Sequence, residues 1–172
     1  MPDAALSHSH RKVRFDDLHR VSAAFGAEGR QISSGDRVSL SPQDDVAGRF
    51  LDGNVHASSV QLVPSRLPPF TGTNWQIVLN PDGTWSFLNQ GHPARMLAGA
   101  GSVVNLGTAA LIDRFDATRW LIYRDLAGFR LRPCMRDSGW LARRGEGVAL
   151  AGRAEPVSPA QYWTIAPMSA AF

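Results

Sequence analysis

Trp75-Gln76-Ile77, Trp120-Leu121-Ile122 and Trp163-Thr164-Ile165 are three copies of one short phrase, and their spacing decides the fold. Upstream of each tryptophan the same pieces recur in the same order. Val60-Gln61-Leu62, Val104-Asn105-Leu106 and Val148-Ala149-Leu150 follow one another at intervals of about 44 residues. Before them stand Phe50-Leu51, Met96-Leu97 and Trp140-Leu141, and each unit opens on a short alternating run: Val38-Ser39-Leu40, Trp85-Ser86-Phe87-Leu88 and Phe129-Arg130-Leu131. Landmarks that stay in step over two periods take precedence over local propensity.

Each landmark is short and soon followed by Gly, Pro, Asp or Asn, as in Asn80-Pro81-Asp82-Gly83, so it reads as a strand ending in a turn. A chain of such hairpins with three-fold internal symmetry must close on itself or expose its edges. The expectation is an all-β barrel capped by hairpins. Composition agrees: 16 Gly and 11 Pro in 172 residues punctuate the chain too often for long helices. Cys134 is the only cysteine, which rules out an intramolecular disulfide and a four-thiolate metal site, and a structural thiol is its expected role.

The net charge of +3 is modest and rests on arginine, with Lys12 the single lysine; this imbalance points to a GC-rich, bacterial-like coding genome and does not call for nucleic acid. The first 25 residues lack the apolar core of a signal peptide, and no apolar run approaches bilayer-spanning length. A soluble cytoplasmic protein is expected, with export by a route lacking a cleaved signal still compatible. Ahead of the units, Phe15, Leu18, Val21 and Phe25 recur at helical steps, with Asp16 and Asp17 at the start and Gly26 after the end, which predicts a short amphipathic helix.

The order of pieces between residues 35 and 167 resembles the β-trefoil, and ricin-type lectin domains in particular, whose units end in Gln-x-Trp. Gln161-Tyr162-Trp163 keeps that form; Thr73-Asn74-Trp75 and Thr118-Arg119-Trp120 carry threonine instead. Gly35-Asp36-Arg37-Val38-Ser39-Leu40 followed by Gly48-Arg49-Phe50-Leu51 also looks like fascin-type trefoils. The resemblance implies a β-trefoil of three four-stranded repeats with pseudo-three-fold symmetry. The expected division is an N-terminal extension over 1–34 and a trefoil domain over 35–172, with units at about 35–80, 81–125 and 126–167.

In ricin-type domains a sugar is held by an aspartate after the second strand, an aromatic for stacking and an Asn or Gln. A carboxylate accepts hydroxyl hydrogen bonds, while a ring covers the apolar face of the sugar. Carried over, the first unit offers Asp52 with Asn54 and His56 nearby, and the other units have Ala98 and Ala142. The expected stacking position holds Val63, Gly107 and Ala151, so Phe70 or Trp85 would have to supply the ring. The resemblance therefore implies a non-enzymatic, carbohydrate-binding module with one surviving site. A turn-capping role for Asp52 in Leu51-Asp52-Gly53 competes with it.

A second group is the arginines of the third unit. Arg130 and Arg132 alternate on one strand face, and with Arg143 and Arg144 they form a candidate patch for phosphate, sulfate, an acidic sugar or an acidic protein. The alternative function is a protein-interaction or scaffold module using this face or the N-terminal helix. A third reading is an enzyme with a novel site in a trefoil loop, although no Gly-x-Ser-x-Gly, His-Glu-x-x-His or phosphate-loop motif is present. Gly99-Ala100-Gly101-Ser102 lacks the third glycine of a dinucleotide loop, and His8-x-His10 is too sparse for a metal, so no cofactor is expected.

Overall fold

The short alternating runs become strands because each has one apolar residue in two to bury and a turn on either side to reverse the chain. The computed structural model describes residues 19–21, 31–54, 56–68, 70–92, 95–108 and 116–168. Among them lie thirteen strands and two single-turn 3-10 segments. The strands are β1 (His19–Val21), β2 (Arg37–Pro42), β3 (Phe50–Asn54), β4 (Ser59–Val63), β5 (Trp75–Leu79), β6 (Trp85–Asn89), β7 (Arg95–Ala100), β8 (Val103–Thr108), β9 (Trp120–Arg124), β10 (Phe129–Pro133), β11 (Trp140–Arg144), β12 (Gly147–Ala151) and β13 (Trp163–Pro167). The 3-10 turns, Thr71–Thr73 and Pro159–Gln161, immediately precede β5 and β13.

Six strands close a ring. β9 pairs with β10, β10 with β13, β13 with β2, β2 with β5 and β5 with β6, and the pair Trp85↔Trp120 joins β6 back to β9. The long seams, β5–β6, β9–β10 and β13–β2, each pair over five residues; the first two are hairpins, and the third joins the last strand to β2. The turn expected at Asn80-Pro81-Asp82-Gly83 makes the first of these, with Asn80 N donating to Thr84 O at 2.8 Å and Gly83 at φ +80°, a left-handed backbone that favours glycine. Three further hairpins, β3–β4, β7–β8 and β11–β12, cap the ring.

The core fills the space between ring and cap. Leu40, Leu51, Trp75, Ile77, Trp85, Phe87, Leu97, Trp120, Ile122, Leu131, Leu141, Trp163 and Ile165 are all fully enclosed. Trp75, Trp120 and Trp163, the closing landmarks of the three units, are all buried packing residues, and each also makes a polar contact. Each indole N–H donates to the carbonyl of the second-strand leucine in its own unit: Trp75 to Leu51 O at 3.1 Å, Trp120 to Leu97 O at 2.9 Å and Trp163 to Leu141 O at 2.9 Å. A buried indole N–H needs a partner, and the bond ties each cap hairpin to the ring.

The N-terminal stretch corrects the helix expectation. Residues 19–21 form β1, antiparallel to β9 with Val21 opposite Ile122, and Trp85 Nε1 donates to Val21 O at 2.8 Å. β6 meets β9 only at Trp120, so the rest of that edge carries backbone groups that need partners. Satisfying them outweighs the weak preference of a short isolated helix. Phe15, Leu18 and Phe25 lie outside the described residues. Ile32, from the same N-terminal stretch, is fully buried, and Gly35 N and Asp36 O bond Ile77 O and N at 2.7 and 2.9 Å.

Replacing Trp120 by Phe leaves Leu97 O without its donor inside the core and removes ring volume. A loss of about 3 kcal/mol in unfolding free energy is expected by urea titration, against under about 0.5 kcal/mol for Leu126→Ala at an exposed turn.

Candidate functional site

Facing residues of an antiparallel hairpin share a face, as do residues two apart on one strand. In β3–β4, Leu51 and Leu62 point to the core, so the opposite face carries the pair Phe50 and Val63 and, further out, Asp52, Gln61, Asn54 and Ser59; the last four matter here. All four are polar. The corresponding face of β7–β8 holds Ala98, Ala100, Val103 and Asn105, and that of β11–β12 holds Ala142, Arg144, Gly147 and Ala149.

Asp52 sits at the inner end of the polar face and is only 4% exposed. Gln61 Nε2 donates to its Oδ2 at 2.8 Å, while Oδ1 has no hydrogen-bond partner. The 3-10 turn Thr71–Thr73 lies against it, and Gly72 is required there: a Cβ would stand 2.3 Å from Gly53 O and 2.7 Å from Asp52 Oδ1. Asn89 Nδ2 fastens the turn by donating to Gly72 O at 2.9 Å. Three residues before their tryptophans, the other units carry Ala117 and Ala160, facing hairpins with Ala98 and Ala142. The larger Asp52 is thus matched by the smaller Gly72.

The other expected site residues divide. Asn54 shares Asp52's face and is half-buried, and His56 is exposed in the β3–β4 turn. Phe70 is half-buried at the start of the 3-10 turn, where its carbonyl accepts from Thr73 Oγ1 at 3.4 Å. Trp85 is a correction. Its ring is fully enclosed in the core, because it occupies the first inward position of β6, as Val38 does in β2 and Phe129 in β10, so it offers no face to a ligand. Gln61, which orients Asp52, was readable from the sequence only by centring the hairpin on Leu51 and Leu62, which brings positions 52 and 61 opposite each other.

In the second unit the alanine-lined face borders a pocket of about 330 Å³ whose walls include Ala98, Gly99, Asn105, Gly107 and Thr118. Among the described residues no carboxylate lines it.

The arginines do not form one open patch. Arg143 makes a two-pronged ion pair with Asp44, both contacts at 2.9 Å, and Arg144 pairs with Glu155. Arg49 bridges Asp45 and Glu146, which fastens the β2–β3 loop to the β11–β12 hairpin. Arg130 is 3% exposed, with its guanidinium 3.8 Å from the centroid of Trp140 and bonded to Gln161 Oε1; burial lowers its pKa. Arg132 is half-buried beside Tyr123 and Trp140. Cys134 is a half-buried free thiol, and among the described residues no three His, Cys, Asp or Glu side chains converge as metal ligands.

Among solved structures the chain is similar to SeviL bound to asialo-GM1 saccharide, at 12% identity over 76% of this chain and 96% of that one, with a TM-score of 0.58. It is also similar to the BEL β-trefoil, at 16% identity over 80% and 96% with a TM-score of 0.63. A GlcNAcα1-4Gal-releasing endo-β-galactosidase from Clostridium perfringens matches at 14% identity and a TM-score of 0.63; the likeness covers 78% of this chain and 33% of that longer one. The shared feature is the fold, and the chain is a β-trefoil. No protein-family model matches it, and no curated protein matches it in sequence. No helix among the described residues is long and apolar enough to cross a membrane.

The loop staple has a pH signature. Hydrogen bonds from the Arg49 side chain hold the Asp45 carboxyl at about 2, below its ordinary 3.8, against desolvation that raises it. A depressed folded-state value means stability that is present above 3.8 and lost as pH falls towards 2. Asp45→Asn should therefore flatten the acid limb of the melting-temperature profile over that interval, measured by circular dichroism.

Proposed function

We propose that this β-trefoil is a non-enzymatic saccharide-binding module whose binding site is the polar face of the first-unit hairpin. One observation carries the reading: beyond Phe50 and Val63 at its inner end, the outward face of this hairpin is polar, made by Asp52, Asn54, Ser59 and Gln61, while the equivalent positions of the other two are largely small and apolar. Gln61 fixes one carboxylate oxygen of Asp52, and the other is an acceptor with no partner. That oxygen lies under Gly72, so a sugar hydroxyl reaches it where the Thr71–Thr73 turn shifts, and the gain is about 1–3 kcal/mol, the cost of an unmatched buried acceptor. Asn54 supplies both a donor and an acceptor at the outer end of the face, and half-buried Phe70 is the nearby ring that covers C–H surface. The fold is one that SeviL uses with a bound saccharide, which supports the class of ligand.

The alternative, a protein-docking arginine face, loses support because Arg143 and Arg144 are engaged in ion pairs and Arg130 is buried. A scaffold role through an N-terminal helix loses support as well, since residues 19–21 are a strand built into the barrel.

The test is a broad glycan array followed by calorimetry on the best neutral glycan. Asp52→Asn should weaken binding about tenfold or more, the value of a charge-assisted hydrogen bond, with the melting temperature as a check on folding. Unchanged affinity in Asp52→Asn, or an array with no bound glycan, would overturn the reading.

A further inference from the structure

The arginines of this chain are not all neutralised in the same way. Arg49, Arg119, Arg143 and Arg144 each reach a carboxylate. Arg130 is buried and Arg132 half-buried, yet neither makes an ion pair among the described residues, and the Nε of each is buried without a hydrogen-bond partner. Desolvating a guanidinium without a counter-charge is costly, so such a position calls for a compensating group. Aromatic rings supply part of it. Trp140 lies under Arg130 at 3.8 Å and within 5.7 Å of Arg132, and Tyr123 meets Trp140 edge-on with centroids 5.4 Å apart.

Strand register extends the cluster. Arg20 on β1, Tyr123 on β9 and Arg130 on β10 are directly opposite one another and form one lateral row, with Leu121 opposite Arg132 in the next row. All five lie on the outer face of the barrel, because their neighbours Val21, Ile122 and Leu131 face the core. Arg20 is exposed and also makes no ion pair among the described residues. Asp125 raises the Arg130 pKa by its charge, but its oxygens already accept from Tyr162 Oη at 2.6 Å and from the backbone N–H groups of Ala127 and Gly128. The corresponding strands carry Ser39 and Ser41 in β2, and Ser86 and Leu88 in β6, so this charge is peculiar to the third unit.

From this arrangement we infer a second binding site, separate from the Asp52 face, in which Arg20 and Arg132, backed by Arg130, hold the sulfate or carboxylate group of an acidic saccharide. Guanidinium forks match such oxyanions with paired hydrogen bonds, and the aromatic rings keep the forks oriented and poorly hydrated. The choice of a saccharide as carrier rests on the proposed function, while the anion preference rests on the arginines alone.

Calorimetry with sulfated glycans from the array, their desulfated parents and inorganic sulfate tests it. The sulfated form should bind with about tenfold or greater preference over its parent. Arg132→Gln and, as a surface variant with little risk to folding, Arg20→Gln should each reduce that preference, and Asp52→Asn should leave sulfated-glycan binding in place. Equal affinity for the sulfated and desulfated forms, or a preference that survives in the Arg20→Gln/Arg132→Gln double variant, overturns the inference without touching the Asp52 reading. Inorganic sulfate binding as tightly as the sulfated glycan overturns the saccharide as carrier. Sulfated glycans held through Arg132 with no neutral glycan bound would sustain this site and remove the other.

Discussion

Three hydrogen bonds between tryptophan indoles and leucine carbonyls hold the ring to its cap, and the rest of the structure depends on them. Each joins the closing strand of a unit to the second strand of that unit: Trp75 to Leu51, Trp120 to Leu97 and Trp163 to Leu141. The indole fills core volume while its N–H spares a strand carbonyl from burial without a donor. Because hairpin position is set by these inward groups, the outward face of each hairpin carries no comparable packing duty. Those faces are free to differ, and they do.

The difference between units is two-sided. Asp52 stands where Ala98 and Ala142 stand, and the turn that closes over it has Gly72 where the others have Ala117 and Ala160. Adding a Cβ at Gly72 would drive it into Gly53 O and the carboxylate. A buried aspartate therefore needed a change in a second segment, about twenty residues away along the chain. The third unit departs in another direction, with Arg130 and Arg132 set among Tyr123, Trp140 and Tyr162. One scaffold thus presents a largely polar stretch at one hairpin and a cationic, aromatic-backed face on the barrel wall.

Much of this was legible in the sequence because it is periodic. The tryptophan spacing predicted the closed all-β barrel, and laying Asp52 against Ala98 and Ala142 predicted that the units are unequal. What was not legible depends on contacts made far along the chain. Arg143 meets Asp44 and Arg49 meets Glu146 across more than half of the sequence, so counting arginines on one strand overstates the open charge. The helical spacing of Phe15, Leu18, Val21 and Phe25 is local, and it yielded where β9 offered an unpaired edge to residues 19–21. Trp85, one of two candidate stacking rings in the sequence, belongs to the core because its place at the head of β6 matches Val38 and Phe129, both core residues.

The central claim is that neutral saccharide binding belongs to one hairpin out of three. Amide chemical-shift mapping during titration with the best neutral glycan addresses it directly. The account predicts perturbations concentrated on Asp52, Asn54, Ser59, Gln61 and the Thr71–Thr73 turn, with β7–β8 and β11–β12 unmoved. Comparable shifts in all three hairpins, or shifts confined to the alanine-lined pocket around Ala98, would contradict it.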